Sequence, residues 1–217
     1  MIGNIPTDPP SDCDVCPRLV DFRNELNGQH PDWFNAPVPS FTAPDPRLLI
    51  VGLAPGMKGA NRTGRPFTGD YAGDLLYETM IHFGFATGRY EARPDDSLEL
   101  RDAIITNAVR CLPPQNKPTG PEIKSCRPFL LSTLDKTPSV KVVLALGRIA
   151  HETFLSALGL RRAQFAFKHC ARHELGVGKL VMFDSYHCSR YNTNTGVLTT
   201  EMFRSVFEAI RCDIPDT

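Results

Sequence analysis

Residues 47–70 read RLLIVGLAPGMKGANRTGRPFTGD. The opening RLLIVG is a short, continuously apolar run, the pattern of a strand covered on both faces. Behind it, residues 52–70 hold five glycines and two prolines, too many breakers for a helix, so this stretch reads as a loop. DLLYETMIHFGF (74–85) follows, with Leu75, Leu76, Met80, Ile81 and Phe83 suited to one side of an amphipathic helix. The unit is strand, loop, helix.

It recurs three times. AIITNAV (103–109) precedes a proline-rich loop and PEIKSCRPFLLSTL (121–134); VKVVLALG (140–147) precedes IAHETFLSALG (149–159); KLVMFD (179–184) leads through a polar loop to LTTEMFRSVFEAIR (198–211). Buried strands alternating with helices predict an α/β fold: a mainly parallel central sheet between two helical layers. Ligands in such folds sit at the carboxyl ends of the strands, which directs attention to the loops after Val51, Val109, Leu146 and Asp184. Residues 1–46 are rich in proline and turn formers and are expected to wrap the core, with one helix over residues 17–26. There is no internal repeat.

The 217 residues suit a single domain spanning 1–217. With 41% apolar and 22% charged residues, and 24 basic against 24 acidic, the chain is neither disordered nor biased in charge. No apolar run approaches the ~18 residues of a membrane helix, and MIGNIPTDPPSD (1–12) lacks a secretory pattern. A cytoplasmic location with no membrane partner is the expectation.

Seven cysteines are too few, and odd in number, for a disulfide scaffold. Cys13 and Cys16 form a C-x2-C pair, while Cys111 and Cys126 have fourteen residues between them. Four soft ligands from two places suit tetrahedral zinc or an iron-sulfur cluster, and spacing does not decide between them. Cys170, Cys188 and Cys212 have no partner pattern and are expected to be buried thiols.

The glycine-rich loop matches neither the G-x-x-x-x-G-K-[ST] nor the G-x-G-x-x-G phosphate pattern. Asn61, Arg62, Thr63 and Arg65 are nevertheless donors suited to phosphate, and Phe67 offers a flat ring. Taken singly, Asp70 is as good a helix N-cap as a catalyst, and Phe67 is better read as core. Asn107, in an apolar strand, needs a partner for its amide, either backbone or ligand. Arg110, Lys117, Lys124 and Arg127 surround PPQNKPTGPE (113–122), whose cations and helix start suit phosphate. DSYHCSRYNTNTG (184–196) places His187, Ser189, Arg190, Tyr191, Asn192 and Asn194 beyond a strand. His30, His82, His151, His169 and His173 have no evident companions and read as structural or surface residues.

Together GLAPG, NRTGRPFTGD, TNAVRCLPPQNKPT with Cys126 downstream, and SYHCSRYNTNTG resemble the uracil-DNA glycosylase superfamily. The similarity is specifically to its iron-sulfur type B branch, family 5, and runs from Cys13 to about Arg211. The resemblance implies a three-layer α/β/α fold, a structural [4Fe-4S] cluster on Cys13, Cys16, Cys111 and Cys126, and hydrolysis of the N-glycosidic bond to a deaminated base in DNA. It implies that the nucleotide flips into a pocket formed with Gly52, Ala54 and Gly56, where Phe67 stacks on the base and Asn107 reads its edge. His187 would donate to uracil O2, Asp70 would orient or deprotonate the attacking water, and Arg190 and Tyr191 would wedge into the duplex. Asn61, Arg62, Arg65, Arg110, Lys117, Lys124, Ser189 and Asn192 complete the expected DNA contacts. Hypoxanthine and xanthine offer the same adjacent carbonyl and N–H as uracil and are expected substrates. A monomer acting ahead of abasic-site repair enzymes is implied. Two features depart from the wider superfamily: Ala54 and Pro55 stand where many relatives carry a polar or acidic residue, and Cys188 stands where proline is common. Competing readings are an iron-sulfur nuclease, for which clustered acidic residues are missing, and a non-catalytic binder of damaged DNA.

Overall fold

Four five-residue strands, β2 (Leu48–Gly52), β5 (Ala103–Asn107), β6 (Val142–Leu146) and β8 (Val181–Ser185), form the parallel centre of the fold. The computed structural model describes residues 5–215. Residues 1–4 of the stretch read as lacking a secretory pattern, and residues 216–217 at the end of the expected domain, lie outside them. β1 (Phe41–Thr42) and β7 (Arg172–Glu174) close the two edges antiparallel, giving the order β1-β5-β2-β6-β8-β7. A separate hairpin pairs β3 (Ala86–Thr87) with β4 (Glu99–Leu100).

Because successive side chains in a strand point to opposite faces, the strands divide their apolar residues between two cores. Leu48, Ile50, Ile105, Leu144 and Phe183 pack with α3 (Tyr71–His82) and α7 (Thr200–Asp213). Leu49, Val51, Ile104, Val143 and Met182 pack on the other side with α4 (Gly120–Lys136) and α5 (Arg148–Ala157). The predicted α/β/α layering is therefore observed. Thr119 caps α4 in a reciprocal box with Glu122, whose carboxylate also pairs with Arg18 of α1 (Pro17–Gln29) at 2.7 Å. No described helix is long and apolar enough to cross a membrane.

Two cations expected at the surface are buried, one of them against the amino-terminal segment. Arg110 is 1% exposed, and its guanidinium donates to Asp8 Oδ1 at 2.6 Å, Ser40 Oγ at 2.9 Å and Thr133 Oγ1 at 3.1 Å. Arg65 is likewise buried, forming a two-pronged pair with Asp96 at 2.8 Å while its Nε donates to Thr68 Oγ1. Burial keeps both guanidiniums from a phosphate. Asn61 is buried too, donating its amide to Asn35 Oδ1 at 2.8 Å. These three residues hold the scaffold together instead of touching DNA.

Desolvation opposes ionisation of Asp96, but the Arg65 guanidinium and the backbone N–H groups of Glu91 and Leu98 hold its pKa down at about 2. A folded-state pKa below the unfolded value makes a contribution present above pH 3.8 that disappears as pH falls toward 2. Asp96→Ala would leave Arg65 buried without its counter-charge, and a loss of about 3–5 kcal/mol is expected in urea unfolding at neutral pH. The deficit relative to wild type should shrink below pH 3.8.

Candidate active site

The ends of three parallel strands converge on one cavity of about 340 Å³, toward the lower end of the ~300–1,000 Å³ range of small-ligand pockets. Leu53, Ala54, Pro55 and Gly56 reach it directly after β2, Asn107 ends β5, and His187 and Ser189 follow β8. Phe67 and Asp70 arrive from the glycine-rich loop, which includes the short helix α2 (Ala60–Thr63). Phe67, Asp70, Asn107 and His187, drawn from three separate stretches of sequence, thus line one cavity.

Phe67 has φ of +52°, a left-handed backbone that is costly for an aromatic residue. Its surroundings hold it there. The Tyr90 hydroxyl donates to the Phe67 carbonyl at 3.2 Å, and Gly73, in the first turn of α3, has no Cβ to collide with that same carbonyl. A Cβ on Gly52 would lie 2.7 Å from Phe67 Cζ and overlap Asn107 Oδ1. Gly52 therefore does not line the cavity; it acts by leaving room for the two side chains that do.

Asn107 is 3% exposed, and its amide makes no hydrogen bond among the described residues. The partner that burial demands must come from a ligand or from water. Asp70 is the N-cap of α3, accepting from Ala72 N at 3.2 Å, and it also lines the cavity. A Cβ on Gly56 would fall 2.8 Å from Asp70 Oδ2, and one on Gly59 would overlap the carboxylate. Burial raises the Asp70 pKa against the two backbone hydrogen bonds from Ala72 and Gly73. Burial also pulls His187 down to about 4, so its imidazole is neutral at physiological pH. The His187 and Phe67 rings lie 6.0 Å apart. Tyr71 is 41% exposed and faces a separate groove, so it does not narrow the cavity.

Arg62, Lys117, Lys124 and Arg190 are exposed and make no ion pair among the described residues, and Tyr191 is 74% exposed. Ser189 lines the cavity and caps α6 (Arg190–Asn194), with its Oγ accepting from Asn192 N at 3.4 Å. The side chain of Asn192 is spent internally, donating to the His187 carbonyl at 2.8 Å. Asn116, not anticipated, also lines the cavity; it and Gln115 have φ of +56° and +57°. Asparagine between prolines is a turn former tolerant of that conformation, and this was the available signal.

A second, small apolar cavity is lined by all four of Cys13, Cys16, Cys111 and Cys126. Burial first, then the charge of neighbouring cysteines, pushes Cys111 up to about 12 and Cys126 to about 11. Arg110 N–H points at Cys126 Sγ from 3.4 Å. Of the unpatterned cysteines, Cys188 is buried as expected, whereas Cys170 and Cys212 are exposed.

Comparison with known proteins agrees with this geometry. The model of the uracil DNA glycosylase superfamily matches residues 39–211, and the chain belongs to that superfamily. It is 46% identical over 200 residues to a Type-5 uracil-DNA glycosylase of Thermus thermophilus, covering 89% of this chain and 90% of the relative. A Type-5 uracil-DNA glycosylase of Pyrobaculum aerophilum is 36% identical over 93% of this chain and 88% of its own length. A Type-4 uracil-DNA glycosylase of Sulfurisphaera tokodaii is 28% identical over 79% and 73%.

A raised folded-state pKa means that Asp70 favours the folded state at low pH, and this advantage is lost as pH rises through the folded value. Asp70→Asn keeps a good N-cap while removing the buried charge. Its melting temperature at pH 7 is expected to exceed wild type by a few degrees, at ~2–4 °C per kcal/mol for this size. The gain should vanish in acid; a lower melting temperature at pH 7 would show that the charge stabilises the fold.

Proposed function

We propose that this protein is a uracil-DNA glycosylase that flips a deaminated nucleotide into the 340 Å³ cavity and hydrolyses its N-glycosidic bond. The observation that carries this reading is the convergence of Phe67, Asp70, Asn107 and His187 on one cavity, with the Asn107 amide unpartnered. Superfamily membership and the Type-5 relatives support it.

A base within a duplex is inaccessible, so extrusion costs a few kcal/mol of unstacking that the pocket and the phosphate contacts must offset. Phe67 supplies a stacking surface. The Asn107 amide accepts from uracil N3–H and donates to O4, a pattern that cytosine reverses, which costs ~1–3 kcal/mol or more. As the bond from the sugar C1′ to the base nitrogen breaks, its electron pair moves onto the base. The neutral His187 imidazole donates a hydrogen bond to O2, where that charge gathers. Asp70 orients the water that adds to C1′ and accepts its proton; raised proton affinity makes the carboxylate a stronger base. Its negative charge also offsets the positive charge on the sugar. Ala54 and Pro55 offer no side-chain base, which leaves Asp70 as the carboxylate of the cavity. Hypoxanthine and xanthine share the recognised edge and are further substrates, and the product is an abasic site for downstream repair enzymes.

Arg62, Lys117, Lys124 and Arg190 supply phosphate contacts, and the exposed Tyr191 is the wedge. Cys13, Cys16, Cys111 and Cys126 fit a [4Fe-4S] cluster by donor type, by sharing one cavity and by the backbone N–H aimed at Cys126 Sγ. When bound, the cluster ties the amino-terminal segment to the loop that carries Asn116. That role is structural.

A duplex with one uracil, incubated with the protein and then treated with alkali, should break at the uracil. Asp70→Asn should slow this by ~10²-fold or more, and cleavage by neither protein would reject catalysis. Asn107→Ala should both slow the reaction and narrow the margin between uracil and cytosine. An unaltered margin would remove the amide from base recognition.

A further inference from the structure

His187 is aimed from behind. Its imidazole makes no hydrogen bond among the described residues, so its direction depends on where the backbone sets it down. Two contacts hold that backbone. After the histidine, the Asn192 amide donates to its carbonyl at 2.8 Å. Before it, the Tyr186 N–H donates to His169 Nδ1 at 3.2 Å, and the His169 ring stacks on the Tyr186 ring with centroids 4.9 Å apart.

The second nitrogen of His169 decides what the first can do. Nε2 lies 3.1 Å from the carbonyl of Met202 in α7, an atom that only accepts, so Nε2 carries the proton. Nδ1 is then left as a bare acceptor for Tyr186 N–H. Burial lowers the His169 pKa, which favours the same neutral form. The ring thus links α7 to the residue immediately before His187.

We propose that His169 is a positioning residue for the glycosylase reaction: by accepting from Tyr186 N–H and donating to Met202, it sets the His187 imidazole against the departing base. This rests on the function proposed above for His187. The neighbouring strand end is braced the same way, since Asp184 takes His151 Nδ1 at 2.6 Å and His173 Nε2 at 2.8 Å on its two oxygens.

The test uses two substitutions in the full-length protein. His169→Phe keeps a ring to stack on Tyr186 but has neither donor nor acceptor. His169→Asn replaces Nδ1 by a carbonyl oxygen at nearly the same distance from the backbone. With a uracil-containing duplex, the single-turnover rate of the Phe variant should fall by on the order of 10²-fold, the cost of an ångström-scale misplacement. Its affinity for the duplex should stay within about twofold, because His169 is not among the residues proposed to contact phosphate. The Asn variant should recover most of the rate. In NMR spectra without DNA, the His187 ring signals should move in the Phe variant and return toward wild type in the Asn variant. Wild-type rate and ring signals in the Phe variant would overturn the proposal, as would a rate that falls only in step with melting temperature and is not restored by Asn. If wild type itself fails to cleave uracil DNA, the functional reading falls, while the ring signals still decide whether His169 places His187.

Discussion

Phe67 stands in a left-handed backbone conformation, and the cavity depends on that strained residue staying where it is. The strain persists because its neighbours leave no alternative: Tyr90 holds the carbonyl, Gly73 admits it, and Gly52 gives the ring the space beside Asn107. The glycines of the loop therefore have separate tasks. Gly52 makes room for the ring and the amide, while Gly56 and Gly59 make room for the Asp70 carboxylate. A glycine-rich loop that matches no phosphate motif is a packed device that brings a ring and a carboxylate to one cavity.

The parallel centre of the fold was legible because each strand is a short apolar run covered on both faces, and each is followed by an amphipathic helix. The edges were not. β1 has two residues and β7 three, and such lengths carry no period; their pairing comes from the neighbouring strand, not from their own pattern. The four cavity residues could be picked out together only through the family resemblance, since taken singly Phe67 reads as core and Asp70 equally as a helix cap. Their convergence could not be read, since it depends on the twist and order of the sheet.

The cations show the limit most clearly. Arg65 and Arg110 sit in polar loops and looked available, yet each is buried against an acid 31 or 102 residues away. Nothing local announces such a partner, because a guanidinium in a loop has the same neighbours in sequence whether it faces water or an aspartate. The partners of the histidines were missed for the same reason. His151 and His173 seemed solitary and meet on Asp184, while His169 meets Tyr186 and Met202.

The clasp between Asp8 and Arg110 bears on how the chain is made. Ile5 and Thr7 also lend their carbonyls to Ser132 and Thr133, so this segment binds residues synthesised more than a hundred positions after it. At about 5–20 residues per second, that segment waits roughly 5 to 20 s without its seat. During this interval Cys13 and Cys16 emerge well before Cys111 and Cys126, and the cavity that all four line closes only once the later pair has been made.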